Sequence, residues 1–159
     1  MPRKLDSFDR QLLEWVQRDA TTPTERLADA VNLSVSAVQR RLKRMRKAGT
    51  IRKDVAVVDP EAVGRPLKFI ATLEIEREHK ELLQELQRWV QAEDAVQQAF
   101  YVTGDVDIVL VITACDMEEY DRLTQKLLED NRNVRRMTTH VMLQEYKSTL
   151  FVPPDGKRY

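Results

Sequence analysis

Six cations crowd into eight residues of this 159-residue chain: Arg40, Arg41, Lys43, Arg44, Arg46 and Lys47. Guanidinium and ammonium groups at that density suit a polyanion such as a nucleic-acid backbone. An ordinary solvated helix face carries similar charge, so the run alone leaves two readings open. Other reactive chemistry is sparse. Cys115 is the only cysteine and His79 and His140 the only histidines, which removes a disulfide framework and a multi-cysteine zinc site. Neither a metal nor a cofactor is expected. Cys115 has no basic sequence neighbour to activate it as a nucleophile, and His140 reads as a packed or surface residue of a strand. No catalytic residue is assigned.

The elements that position these groups follow from charge and periodicity. Residues 1–60 hold 13 Lys and Arg against 8 Asp and Glu, whereas residues 61–159 hold 13 against 18. A basic half, net +5, thus precedes an acidic half, net −5, within a chain of zero net charge. That asymmetry fits a module for a polyanion joined to a module with another task. No apolar run approaches ~18 residues, and MPRKLDSFDR has no apolar stretch after its basic residues. Neither a membrane span nor a secretory signal is expected, and the chain reads as cytoplasmic.

In the basic half, Phe8, Leu12, Trp15 and Val16 give one face of a helix from Ser7 to about Arg18. Thr22-Pro23-Thr24-Glu25 reads as a capping box opening a second helix, with Leu27, Ala28 and Val31 inward. Asn32 is one of the few non-glycine types that accept positive φ in a tight turn. Ser34 then caps a third helix running to Ala48, which Gly49 ends. Small Ala28, turn residue Asn32 and branched Val38 at these offsets describe a helix-turn-helix. A plain three-helix bundle is the competing reading.

Around the third helix, Val38, Leu42 and Met45 form the inward stripe. Ser36, Arg40, Lys43 and Lys47 lie opposite, flanked by Gln39 and Arg44. Recognition helices read base edges with N-terminal residues, which makes Ser36, Gln39 and Arg40 the candidate readers, with Ser34 at the helix start. Lys43, Arg44 and Lys47 suit phosphates. Arg41 and Arg46 lie nearer the helix seam, and Arg41 has a candidate partner in Asp9. Ile51 to Val58 is β-branched and reads as a strand, stopped by Asp59-Pro60.

The acidic half alternates strand and helix patterns: strand Leu67–Glu76, helix Glu78–Gln91, strand Val96–Thr103 and a turn at Gly104-Asp105. Strand Val106–Thr113, helix Asp116–Glu129 with Tyr120, Leu123, Leu127 and Leu128 inward, and an extended stretch Val134–Phe151 follow. This order is a ferredoxin-like βαββαβ. VDIVLVIT is too apolar to leave the uncovered sheet face wet, so pairing of two sheets in a dimer is expected. The fold class is α+β, in four parts. Residues 1–52 form a winged-type helix-turn-helix domain and 53–65 a connecting strand and linker. Residues 66–152 form a ferredoxin-like oligomerisation domain, to which the family resemblance below adds effector binding, and 153–159 a flexible tail.

Both halves resemble the Lrp/AsnC (feast/famine) transcription regulators over about residues 5 to 150. The resemblance is carried by LDSFDRQLLEWVQRD (Leu5 to Asp19) and LADAVNLSVSAVQRRLKRMRKAGTI (Leu27 to Ile51). VAVVDPEAVG (Val55 to Gly64), TGDVDIVLVI (Thr103 to Ile112) and VRRMTTHVMLQEYK (Val134 to Lys147) complete it. The resemblance implies an N-terminal domain on double-stranded DNA and a C-terminal domain that dimerises, commonly assembling to octamers. It also implies an amino acid or related effector, usually bound at contacts between dimers. By position, the Gly104-Asp105-Val106-Asp107 turn matches the family's effector motif, and Thr139 its strand residue. Gly104 would let backbone amides approach a carboxylate, and Asp105 or Asp107 would meet an ammonium. An unadorned hairpin turn explains the same residues.

Two departures stand out. Val106 replaces the usual aromatic residue between the two acids. The recognition helix opens with Ser34-Val35-Ser36-Ala37-Val38 in place of a proline-rich segment containing cysteine. Two alternatives accompany the regulator of amino-acid-related metabolism. One is an assembly or chromatin-organising DNA binder with no effector. The other is an enzyme resembling the tetrapyrrole decarboxylases built on the same chassis, which needs basic residues or histidines around a cavity where this chain is acidic.

Overall fold

The computed structural model describes residues 5–76 and 79–154. They divide into two units, one of residues 5–56 with 147–154 and one of Val57–Tyr146.

The first unit is three helices: α1 (Ser7–Arg18), α2 (Thr24–Val31) and α3 (Val35–Lys47). Asp6 caps α1 by accepting from the Asp9 amide at 2.9 Å, and Asp9 reaches back to the Asp6 amide at 3.3 Å. This is a capping box. The box read at Thr22 does not form. Pro23 stands at the N-cap of α2 without a side-chain bond, and the Thr22 hydroxyl donates instead to the Asp19 carbonyl at 2.9 Å. Asn32 takes the left-handed conformation at φ 55°, turning the chain between α2 and α3, and Ser34 caps α3 by accepting from the Ala37 amide. Leu12, Leu13, Val16, Leu27, Ala28, Val31, Val38, Leu42 and Met45 form the core. Phe8, read as part of the inward face, is partly exposed, with the Arg41 guanidinium 5.4 Å from its ring centroid.

The strand read over Ile51–Val58 is absent: the segment forms no ladder, and Val55, Val57 and Val58 stand in solvent. Branched side chains favour extended backbone, but a strand needs a neighbouring backbone to bond, and the described chain supplies none there. Residues 147–154 cluster with the first unit, although the reading above divided them between the second domain and a tail.

The second unit runs β1 (Leu67–Ile75), α4 (Lys80–Ala92), β2 (Val96–Tyr101), β3 (Ile108–Ala114), α5 (Met117–Asp130) and β4 (Val134–Val141). The sheet order is β2-β3-β1-β4 and every neighbouring pair is antiparallel. Both central strands alternate, sending Phe69, Ala71, Leu73, Ile108, Leu110 and Ile112 into a core with Leu86, Tyr120, Leu123 and Leu127. Phe69 stacks on Tyr120 at 3.8 Å between centroids. Ile70, Val109 and Val111 alternate with these core residues and remain half-buried on the opposite face.

Two strand boundaries and one inward residue differ from the reading. The turn before β3 is wider, since β2 stops at Tyr101 and β3 starts at Ile108. Extended pairing in the last strand ends at Val141, well before Phe151. Leu128 points partly into solvent, one position past the α5 stripe. The helix start read at Glu78 lies outside the described residues, and α4 opens at Lys80.

Candidate nucleic-acid interface and effector turn

The α3 stripe Val38, Leu42 and Met45 is buried, which fixes the helix about its axis and turns the opposite side outward. Ser36, Gln39, Arg40, Lys43 and Lys47 are all exposed there. Arg40, Lys43 and Lys47 follow i, i+3, i+7 spacing, so they share one face. Among the described residues none of these three makes an ion pair.

The other three cations of the run are tied within the unit. Arg41 Nη1 donates to Asp6 Oδ2 at 2.7 Å and to Asp9 Oδ1 at 2.8 Å. Arg44 Nη2 donates to Asp9 Oδ2 at 2.5 Å, and Arg46 Nε to Asp54 Oδ2 at 3.0 Å. Asp9 is only 1% exposed, so its charge is held inside by two guanidinium groups and the capping amide. The Asp9 amide and then the Arg41 guanidinium hold the Asp6 carboxyl below its usual range, and Asp6 followed by Asp9 raises Arg41.

The Arg41–Asp9 pair was legible from sequence. The second guanidinium on Asp9 was not, because Arg44 lies between the outward face and the seam. Ser34 is likewise engaged, as cap of α3 and 3.2 Å from the Ser36 hydroxyl.

In the second unit, Gly104 adopts φ 128° in the turn, which suits glycine, and Asp105 is exposed. Asp107 is stitched into the sheet. Its Oδ2 accepts from the Ile75 amide at 2.7 Å, and its own amide donates to the Leu73 carbonyl at 3.0 Å. The carboxylate thereby satisfies a backbone donor where the β1–β4 register shifts between Glu74 and Ile75. Thr139 sits opposite Ala71, and its hydroxyl pairs with that of Tyr120 at 2.6 Å. Ala71 and Ile75 are four residues apart on β1, or ~13 Å. Asp107 and Thr139 are therefore not brought together within one chain. An apolar groove of about 410 Å³ between α4 and β2, lined by Leu83, Leu86, Val90, Ala99, Phe100 and Tyr101, contains none of the four candidate effector residues.

One polar cluster escaped the sequence reading. Arg65 Nη2 donates to Glu119 Oε1 at 2.9 Å and to the Thr113 carbonyl at 2.8 Å, while the Cys115 amide donates to Glu119 Oε2 at 2.6 Å. The Cys115 bonds, with a further contribution from Arg65, lower the Glu119 carboxyl to about 2. The same carboxylate pushes the Cys115 thiol up, which disfavours its thiolate.

Comparison with known proteins finds two matching family models in the chain. Residues 5–46 match the family model of the AsnC-type helix-turn-helix domain, and residues 68–150 that of the Lrp/AsnC ligand binding domain. The chain is 40% identical to an uncharacterised HTH-type transcriptional regulator of Sinorhizobium fredii, over 94% of this chain and 89% of that protein. It is 30% identical to the glutamate uptake regulatory protein of Zymomonas mobilis, over 80% of this chain and 78% of that one. Its fold superposes on the crystal structure of a Neisseria meningitidis transcriptional regulator in complex with L-Met. The TM-score is 0.88 at 27% identity, covering 96% of this chain and 98% of the other.

Proposed function

Since the chain belongs to the Lrp/AsnC family of transcriptional regulators, we propose that it reads a pseudo-palindromic DNA site through α3 and answers to an amino acid or a close analogue. The observation that carries this reading is the outward face of α3, where Arg40, Lys43 and Lys47 make no ion pair among the described residues and lie beside Ser36 and Gln39. Ser36, Gln39 and Arg40 contact base edges; Lys43 and Lys47 hold phosphates. Ser34 and Arg44 serve the fold first, as cap and as partner of Asp9.

Two copies are needed for a two-fold site. The half-buried face carrying Ile70, Val109 and Val111 supports dimerisation by sheet-to-sheet packing, and further assembly toward octamers extends the same economy. Recognition helices on the two copies then enter major grooves about one helical turn apart, or a multiple of it. An effector acts by favouring one assembly or DNA-competent arrangement over another.

The test selects binding sites from random duplexes with the parent and with Arg40→Ala. A loss of selected sequence with retained weak binding supports base reading by Arg40. Indifference to the substitution removes Arg40 from base reading.

A second reading, a DNA binder whose second unit only assembles, draws support from the prior engagement of Asp107 with Ile75 and of Thr139 with Tyr120. A thermal-shift screen across the amino acids, paired with mass measurement in solution, separates the two. A ligand-dependent shift favours the effector, and a flat screen favours assembly alone.

A further inference from the structure

The flank of α1 holds the end of the chain by its backbone. The Gln17 side-chain amide makes both bonds a peptide can make: Nε2 donates to the Val152 carbonyl at 3.0 Å and Oε1 accepts from the Val152 amide at 2.8 Å. Arg10 donates to the Pro154 carbonyl. The Arg18 guanidinium lies over the Phe151 ring, 4.8 Å from its centroid. Arg10, Gln17 and Arg18 recur at i, i+7 and i+8, so they form one stripe along the helix. That stripe lies beside the buried stripe of Asp9, Leu12, Leu13 and Val16. Val152 is 67% exposed even though both of its peptide groups are bonded, so the clamp grips main chain and not side chain. Pro153 and Pro154 stiffen the segment and lower the entropy lost on docking.

Connectivity gives the contact its meaning. The chain leaves the first unit at residue 56 and rejoins it at residue 147. The leaving segment carries no strand ladder and is held to α3 by the Arg46–Asp54 pair.

We propose that the Arg10–Gln17–Arg18 flank of α1 is a docking site for residues 151–154, giving the DNA-binding unit a second tether that restricts its motion and so sets which half-site spacings it accepts. The spacing clause rests on the DNA-binding reading above; the docking clause does not.

The test uses the full chain, Gln17→Ala, and a chain ending at Tyr146. In the parent, the Val152 amide exchanges with solvent about tenfold or more slower than an unstructured peptide, and Gln17→Ala removes that protection while amides of the α1–α3 core keep theirs. Nitrogen relaxation of α1–α3 reports faster independent tumbling in both variants. On duplexes with half-sites moved apart by about 5 bp, half a helical turn, the parent discriminates against the shifted site, and both variants discriminate at least about threefold less. Unprotected Val152 in the parent overturns the docking. Unchanged tumbling and unchanged spacing discrimination after release overturn the tether. A parent that binds no duplex sinks the regulator reading instead, and the exchange and relaxation measurements still decide the docking and the restraint.

Discussion

Asp9 and Arg41 are 32 residues apart in sequence, yet Oδ1 and Nη1 meet at 2.8 Å while the other oxygen of the same carboxylate holds Arg44. One buried acid thereby ties α1 to α3 and fixes how the cationic helix is presented. Removing one member of a buried pair leaves uncompensated charge. Asp9→Ala should lower unfolding stability by about 2–3 kcal/mol, a figure reduced because Arg44 is partly in solvent. Urea unfolding measures it; a loss below ~0.5 kcal/mol would show that the pair holds nothing together.

Base readers and phosphate holders differ in their dependence on salt. Arg40→Ala should weaken binding to the selected site by ~1–3 kcal/mol with little effect on random DNA. Lys43→Ala should weaken both and reduce the slope of log K against log salt by about one. Titrations at several salt concentrations distinguish the two residues. An unchanged slope takes Lys43 out of the interface.

Asp107 carries two assignments that substitution can separate. Asparagine keeps an oxygen for the Ile75 amide and loses the charge, whereas alanine loses both. If the carboxylate meets an effector ammonium, Asp107→Asn folds with near-parental stability but loses the amino-acid response in sedimentation. Retention of that response places the ligand elsewhere.

Glu119 gives the second unit a distinct acid limb. Its carboxyl is lowered from 4.5 to about 2 by the Cys115 bonds and Arg65, so its contribution is complete above pH 4.5 and disappears as the pH falls through about 2. Glu119→Gln should be less stable than the parent at pH 7, with the gap closing across that window. Denaturation at stepped pH checks it, and a gap constant down to pH 2 would refute the assignment.

The three helices, the left-handed Asn32 and the alternation of the central strands were legible because each depends on local preference or on a repeating burial pattern. The Arg41–Asp9 pair was legible too, since both residues border the helix seam. Competition hid the rest. Thr22 suits a capping role for α2, but its hydroxyl donates to the Asp19 carbonyl instead. Ile51–Val58 has strand composition, but a ladder depends on a neighbour that composition does not reveal. Gln17 grips Val152 through the peptide group every residue has, so no side-chain pattern announces that contact. Asp107 was assigned to an effector through the family resemblance, and its bond to the Ile75 amide went unseen because a carboxylate in a turn looks the same in sequence whether it faces solvent or a strand amide.

If two copies pair as proposed through the half-buried face carrying Ile70, Val109 and Val111, the stability of this regulator depends on its own concentration. Paired subunits then melt at higher temperatures as concentration rises, and dilution costs stability and the second half-site contact together. Gene dosage would govern occupancy more steeply than in proportion.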